Sequence, residues 1–146
     1  SPLIELKLKV PRYKLILAEV LSKYFPDFSL PSGITSEALS HDPQMVKAHS
    51  EDMLIFRHAT TRYSTEMFLA SETVRNHPDL LQVPYLLLLA DEDSLVSSEA
   101  AKNFHQKTAS HDKEMIWYSS CFHEILNETN RNDALKAIEQ WIKKRI

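Results

Sequence analysis

The longest uninterrupted apolar run of the chain extends from Tyr85 to Ala90 and stops at three consecutive acids, Asp91, Glu92 and Asp93. A run of this length after a proline is too short for an ordinary helix. Its lack of polar alternation predicts a strand that is covered on both faces. Such strands belong to parallel sheets, in which ligands bind just beyond the carboxyl ends of the strands. The pattern therefore predicts that at least one of these carboxylates lies at a functional site.

The first residues of the chain are predicted to form a strand and then a helix. Ile4 to Val10 alternates apolar and charged residues, which predicts a half-exposed strand. Pro11 suits the first position of a helix that ends before Pro26. Phe25 to Ser40 is rich in proline and serine, which predicts an irregular connector. The apolar face of the helix consists of Leu15, Ile16, Val20, Leu21 and Tyr24.

Two more helices are predicted before the apolar run. Asp42, which precedes a proline, is a start signal for a helix that extends to about Ser50. Another helix begins near Thr60 or Thr61 and ends before Pro78. We interpret the stripe of this last helix as a packing surface rather than a ligand pocket. Its members, at helical spacing, are Tyr63, Met67, Ala70 and Val74.

After the apolar run, the pattern alternates between helix and strand. Ser97 or Ser98 caps a helix through about Thr108, Glu114 to Tyr118 is predicted to be a short strand, and Asp133 to Lys144 a closing helix. This alternation is typical of a right-handed parallel crossover unit, so we predict an α/β fold for this part of the chain. The inward residues of the two helices are predicted to be Ala100, Ala101 and Phe104, and Leu135, Ile138 and Ile142.

Composition narrows the class of protein. With 146 residues, 43% hydrophobic and 25% charged, the chain has the size of one globular domain. A net charge of −3 with scattered basic residues argues against a nucleic-acid partner. The single cysteine, Cys121, excludes an intrachain disulfide and fits a reducing, cytoplasmic location. No apolar run approaches the roughly 18 residues of a membrane span, and a start at Ser1 rather than Met leads us to expect further sequence upstream.

Glycine is scarce, and this excludes two kinds of site. Gly33 is the only glycine, whereas average usage gives about ten in a chain of this length. Phosphate-cradling loops and the G-x-S-x-G nucleophile turn both require several glycines, so the sequence contains neither. The histidines lack the spacing of a zinc site. We therefore expect neither a cofactor nor a metal.

His123 provides a partner for the acids. It follows the second predicted strand, so neighbouring parallel strands would present Asp93 and His123 at the same edge of the sheet. A carboxylate that orients an imidazole, which then acts as base for a serine, is the arrangement of the hydrolase triad, and acid-then-histidine order fits the α/β-hydrolase version. The plainer interpretations are a turn or helix-capping acid and a structural loop histidine. We interpret Cys121 as buried and inert.

With these motifs in place, the sequence resembles the second half of α/β-hydrolases related to monoacylglycerol lipases and lysophospholipases, a group that includes serine aminopeptidases. Asp93 then matches the triad acid and His123 the triad base. Relatives often have small residues at the positions of Asp91 and Glu92 and a glycine near Ser120 and Cys121. Six segments carry the resemblance in order: S-P-L from Ser1, V-P-R-Y-K-L from Val10, S-L-P-S-G from Ser29, L-S-H-D-P from Leu39, P-Y-L-L-L-L-A-D-E-D-S-L-V from Pro84, and H-E-I-L-N-E from His123.

The resemblance implies the C-terminal part of an α/β-hydrolase fold preceded by a helical cap, with residues 1–78 as the cap and residues 79–146 as the core. It also implies an ester of a monoacyl lipid as substrate, a helical lid over an acyl-binding pocket, and peripheral membrane contact through that lid. We expect Leu95 and Phe122, close to the catalytic pair, to contact the substrate. The nucleophilic serine and the oxyanion-hole amides are expected to precede Ser1, in an N-terminal half of the same fold.

This expectation has a consequence for the isolated segment. Triad enzymes without their nucleophile retain roughly 10³ to 10⁴-fold catalysis only through the oxyanion hole and binding site, so we expect the segment alone to hydrolyse nothing. Two or three parallel strands also make a poor independent sheet, which favours a longer chain or a split product. The alternative is a non-catalytic remnant of the fold that acts as an interaction module. Because a fold does not fix a substrate, an acyltransferase or peptidase also stays open.

Overall fold

A computed structural model describes residues 1–7 and 12–146. Short single-turn helices occur at Ser36–Ala38, Pro78–Leu80 and Ile125–Asn127. The described chain contains the helices α1 (Arg12–Tyr24), α2 (Pro43–Glu51), α3 (Thr61–Asn76), α4 (Ser98–Lys107) and α5 (Arg131–Lys143), and the strands β1 (Ser29–Pro31), β2 (His58–Thr60), β3 (Tyr85–Ala90) and β4 (Lys113–Tyr118).

The apolar run forms β3 with the predicted bounds. It pairs in parallel with β4, so that Tyr85 lies opposite Lys113 and Ala90 opposite Tyr118. Helix α4 connects the two strands, as a parallel crossover requires. The predicted strand–helix–strand–helix order is therefore confirmed, and the carboxyl ends of both strands lie at one edge of the sheet.

The core is built around the carboxyl end of β3. Successive side chains of a strand point to opposite faces, and the last two residues of β3, Leu89 and Ala90, are both fully buried. On one side Leu89 packs with Ile4 and Ala101. On the other side Ala90 packs with Cys121, Ile125 and Ala134. The end of the strand is thus held from both faces, which fixes the point where the acids begin.

Side-chain caps mark the starts of three helices, as predicted. The Asp42 carboxylate accepts a hydrogen bond from Gln44 N at 2.9 Å at the start of α2. The Thr60 hydroxyl accepts from Tyr63 N at 3.1 Å at the start of α3, and the Ser97 hydroxyl accepts from Ala100 N at 3.1 Å at the start of α4. Each cap satisfies a backbone donor that has no partner within its own helix.

The predicted strand from Ile4 to Val10 is wrong for its described part. Residues 4–7 form a bend with one isolated bridge, in which Leu6 lies opposite Val96. The remainder of that prediction, together with Pro11, lies outside the described residues. Alternation of apolar and charged residues predicts an extended segment, but it does not show whether another strand lies beside that segment. Here the single bridge of the segment is made with the loop that follows β3.

The predicted connector from Phe25 to Ser40 contains an unpredicted strand. β1 pairs antiparallel with β2, and Ser29 lies opposite Thr60. Strands of three residues are too short to show a period of two, and Pro31 within β1 argues against a strand in sequence terms. This small ribbon ties the segment after α1 to the start of α3.

The prediction that the apolar stripe on α3 is a packing surface is wrong for most of the stripe. Tyr63 is 61% exposed, Val74 is 46% exposed, and Ala70 is also exposed. The helix instead packs on α1, where the hydroxyls of Ser22 and Thr65 lie 2.8 Å apart. The apolar face of α1 is likewise open, since Ile16 and Tyr24 are more than 60% exposed.

The closing helix α5 begins two residues earlier than predicted and buries only part of the predicted face, of which Ile138 is half-buried. Ala134 is fully buried, whereas Leu135 and Ile142 from the predicted face are 49% and 44% exposed. A helical period identifies an apolar stripe but not the surface that covers it. In the described parts of the chain, no helix is both long enough and apolar enough to cross a bilayer.

Candidate active site

Asp93 lies in the turn that follows β3, and its side chain is almost completely buried at 1% exposure. Its Oδ1 atom accepts hydrogen bonds from the backbone of Leu95 at 2.9 Å and of Val96 at 3.0 Å. Its Oδ2 atom lies 2.8 Å from Nδ1 of His123. The backbone thus fixes one carboxylate oxygen, which leaves the other to orient the imidazole.

The three consecutive acids differ in exposure and in their contacts. Asp91 and Glu92 are exposed, whereas Asp93 is buried and contacts His123. The backbone of the first two acids extends the contact between the strand ends, because Asp91 N donates to Tyr118 O and Glu92 N donates to Cys121 O, both at 3.1 Å. The loops that follow β3 and β4 are therefore joined by backbone hydrogen bonds as well as by the contact between Asp93 and His123.

His123 is presented by a sharp turn after β4. Ser120 has φ of 54°, the left-handed conformation that glycine favours, and it is the only non-glycine residue with positive φ in the described ranges. This is the turn where the resemblance leads us to expect a glycine. The His123 side chain is 26% exposed. Because Asp93 takes Nδ1, the opposite ring nitrogen, Nε2, is the one that can exchange a proton with a nucleophile.

The electrostatics of the pair favour an ionised acid. Burial by itself raises the pKa of Asp93, but the hydrogen bonds from His123 and from the backbone of Val96 and Leu95 outweigh it and lower the pKa to about 2. Asp93 is therefore a carboxylate at neutral pH. A fixed negative charge at Nδ1 stabilises the imidazolium that forms when Nε2 accepts a proton.

The turn that contains Asp93 is also supported by the start of the chain, a contact that was not predicted. The Lys7 ammonium donates to the backbone oxygen of Asp93 at 2.8 Å, and Lys7 N donates to Leu95 O at 3.0 Å. Ser97 N donates to Glu5 O at 2.8 Å. Residues 5–7 therefore hold the turn through three hydrogen bonds. No sequence motif links these distant segments, so only the fold could reveal the contact.

Two other residues near the site were given no role by sequence. Glu128 is fully buried, and its Oε1 lies 2.9 Å from Nδ1 of His41. Both residues fall within segments that carry the resemblance, L-S-H-D-P and H-E-I-L-N-E. The only signal in the sequence was an acid five residues after the predicted catalytic histidine. Sequence alone does not show that this acid is buried.

Leu95 and Phe122 flank the pair but have other contacts. Leu95 is half-buried, and its backbone hydrogen-bonds to Asp93 and to Lys7. The ring of Phe122 stacks on the ring of His41, with 3.6 Å between centroids and 27° between planes. One face of the phenyl ring is thus covered by protein. Substrate contact by these two residues stays a prediction.

Cys121 is fully buried, as expected, and its thiol contacts Asn130 at 3.3 Å. Burial raises the pKa of the thiol above its ordinary value. A thiol with these properties is a packing group rather than a nucleophile.

A cavity of about 350 Å³ adjoins His123 and is lined by Ser1, Leu88 and residues 124–127. Two larger cavities, of about 450 and 490 Å³, are lined by residues of the first half of the chain. Neither is lined by Asp93 or His123. The space next to the imidazole is therefore the smaller cavity at the edge of the sheet.

A family model and several known proteins match this chain. The family model described as "Serine aminopeptidase, S33" matches residues 1–130 of the chain. Among curated relatives, phospholipase YtpA of Bacillus subtilis is 27% identical over 94% of this chain and 53% of its own length.

Solved structures show the same fold. A monoacylglycerol lipase of Paleococcus ferrophilus superposes with a TM-score of 0.89 at 25% identity, covering 96% of this chain and 55% of the lipase. A soluble variant of monoglyceride lipase from Saccharomyces cerevisiae, in complex with a substrate analogue, superposes with a TM-score of 0.82 at 20% identity, covering 99% and 54%. The chain thus spans about half the length of these relatives, and the predicted fold, the C-terminal part of an α/β-hydrolase with its helical cap, is confirmed.

Proposed function

Because this chain belongs to the serine aminopeptidase, S33, family, we propose that it supplies the acid and the histidine of a Ser-His-Asp triad that cleaves carboxylic esters of monoacyl lipids. The proposal rests on one contact, the 2.8 Å hydrogen bond between buried Asp93 and Nδ1 of His123 at the carboxyl edge of the sheet. Asp93 orients the imidazole and keeps its Nδ1 proton in place. Nε2 then acts as the general base.

In the proposed reaction, His123 Nε2 takes the proton of a serine hydroxyl while that oxygen attacks the ester carbonyl. The imidazolium returns the proton to the leaving alcohol, so the ester C–O bond breaks and an acyl-enzyme remains. Water then repeats the sequence, with His123 again as base, and releases the fatty acid. Asp93 stays ionised throughout, which its lowered pKa favours.

The nucleophilic serine is proposed to lie outside these 146 residues. The G-x-S-x-G turn needs glycines, and Gly33 is the only one present. The chain also spans about half the length of the phospholipase and lipases described above. An N-terminal half of the same fold is therefore proposed as the partner that supplies the serine and the oxyanion-hole amides.

A lipid substrate is supported by the names of the relatives and by the surface of the helical half. The relatives include a phospholipase and monoacylglycerol lipases. Met53, Leu54 and Phe56 are 96%, 89% and 91% exposed in the segment between α2 and β2. Apolar side chains at such exposure suit an acyl chain or a lipid surface. We propose that the cap contacts both.

Labelling of the natural full-length product with a fluorophosphonate tests the proposal. We expect one serine in a G-x-S-x-G turn upstream of this segment to be labelled, and we expect His123→Ala to abolish the labelling. Labelling that persists at full rate in His123→Ala would contradict the assignment. Ester turnover by the isolated segment that depends on His123 would contradict an external nucleophile.

A further inference from the structure

Glu128 is a charged group with no access to solvent, yet the proposed mechanism does not use it. Its side chain is 0% exposed. The carboxylate accepts hydrogen bonds from Phe122 N at 2.7 Å, from His41 N at 3.1 Å and from Thr129 N at 3.3 Å, and it lies 2.9 Å from Nδ1 of His41. A buried carboxylate is stable only when its lone pairs are satisfied in this way. Glu128 therefore gathers backbone donors from two separate segments.

The shortest of these bonds reaches the residue next to the proposed base. Phe122 immediately precedes His123, so its backbone N–H fixes where the His123 backbone begins. The same turn contains Ser120 in its left-handed conformation, which costs a non-glycine residue roughly 1–2 kcal/mol. Such a conformation persists only where surrounding contacts hold it. The bond to Glu128 is one of those contacts, and the bond from Glu92 N to Cys121 O is another.

His41, whose backbone and ring both contact Glu128, belongs to residues 39–42, the segment that leads into α2. This segment makes two more contacts with the histidine loop: Glu124 N donates to Leu39 O at 2.9 Å, and the Ser40 hydroxyl donates to Asn127 O at 2.7 Å. The His41 ring also covers one face of Phe122. The cap and the histidine loop are thus joined through a single buried carboxylate and its neighbours.

We propose that Glu128 and His41 are positioning residues for His123, which they hold through the backbone and ring of Phe122. In this arrangement the Glu128 carboxylate holds the Phe122 backbone through a hydrogen bond. The imidazole of His41 contacts the carboxylate and stacks on the Phe122 ring. Burial alone would raise the pKa of Glu128, but the hydrogen bonds from Phe122 and His41 outweigh it and lower the pKa, so the anchor is charged at neutral pH. The inference rests on the proposed role of His123 as general base.

The chain offers a matched set of variants for this proposal. Asparagine at position 41 places an amide donor near the position of Nδ1, so His41→Asn keeps the bond to Glu128, whereas His41→Leu removes it. His49→Leu is the control, because His49 lies in α2 and its Nδ1 contacts the Ser36 hydroxyl rather than the histidine loop. Glu128→Gln removes the charge with little change in shape.

The experiment uses the natural full-length product and measures kcat per active site, with active sites counted by fluorophosphonate titration. We expect kcat per titrated site to fall roughly tenfold to a hundredfold in Glu128→Gln and His41→Leu, because small displacements of a catalytic group cost rate on this scale. His41→Asn should recover most of that loss, and His49→Leu should match the wild type. KM should change less than kcat in every variant.

A purely structural role gives a different result. If Glu128→Gln and His41→Leu lower only the number of titratable sites and leave kcat per site within twofold of wild type, the proposal is overturned. An equal loss in His49→Leu would overturn it as well. Should Glu128→Gln fail to fold, the two His41 variants decide. Full activity in His123→Ala would instead refute the proposed function. A failure of the proposed function is therefore distinguished from a failure of the proposed role of Glu128 and His41.

Discussion

Asp93 and His123 meet beyond the ends of two parallel strands, and the backbone holds the Asp93 oxygen that does not face the imidazole. Oδ1 is held by the backbone N–H groups of Leu95 and Val96, and Oδ2 lies 2.8 Å from Nδ1 of His123. The turn after β3 therefore fixes the carboxylate that orients the imidazole of His123.

Replacement of Asp93 tests the orienting role. In Asp93→Asn the amide mimics the shape but not the charge, so the imidazole loses its fixed tautomer and the imidazolium loses its counter-charge. We expect kcat of the natural full-length product to fall by about 10³ to 10⁴-fold. Asp91→Asn is the control, because Asp91 is exposed in the same turn. Similar losses in both variants would point to turn geometry rather than to the charge of Asp93.

The lowered pKa of Asp93 predicts a specific loss of stability in acid. The pKa of Asp93 in the folded state is about 2, below the ordinary value of 3.8 for an aspartate. The ionised form therefore stabilises the fold above about pH 4, and this stabilisation disappears as pH falls towards 2. Its size is about 2 kcal/mol. Denaturant unfolding of wild type and Asp93→Asn should show a difference that closes over this interval, and a difference independent of pH would contradict the assignment.

Leu89 is predicted to be the most sensitive leucine of β3. It is fully buried between Ile4 and Ala101, so Leu89→Ala should lower the free energy of unfolding by about 2–5 kcal/mol through lost burial and a residual cavity. Leu135→Ala, on the exposed face of α5, should change it by less than about 0.5 kcal/mol. Denaturant unfolding measures both changes. An equal loss of unfolding free energy in Leu89→Ala and Leu135→Ala would contradict the described difference in burial between the two leucines.

Ser120 is a position where substitution should stabilise the protein. Glycine adopts positive φ without steric cost, so Ser120→Gly should raise the free energy of unfolding by about 0.5–1 kcal/mol after its greater loss of chain entropy. Ser119→Gly, at the adjacent position of the same turn, should be neutral or destabilising. A destabilised Ser120→Gly variant would mean that the serine side chain makes contacts that outweigh the strain.

The sequence predicted the parts of this fold in which a local pattern determines the outcome. β3 was predictable because an apolar run bounded by Pro84 and Asp91 allows few alternatives, and the start of α2 was predictable because Asp42 precedes a proline. The pairing of Asp93 with His123 was predictable from the rule that parallel strands share an edge. The buried face of α5 was not, because Ala134 and Leu135 are both apolar and only tertiary packing distinguishes them.

Long-range polar contacts were the other part that sequence could not supply. Glu128 was given no role from sequence, because acids are seldom buried, and its contact with His41 spans 87 residues of the chain. Lys7 reaches the backbone of Asp93 across 86 residues. Contacts of this kind leave no periodic signal, because each depends on the whole fold being in place.

The most direct test of the account is the rate of monoacylglycerol hydrolysis by the natural full-length product in wild type, His123→Ala and His111→Ala. His111 is the matched control, because it is an exposed histidine in the loop before β4. We expect a loss of at least about 10³-fold in His123→Ala and no more than a twofold change in His111→Ala. Hydrolysis by His123→Ala at the wild-type rate would contradict it.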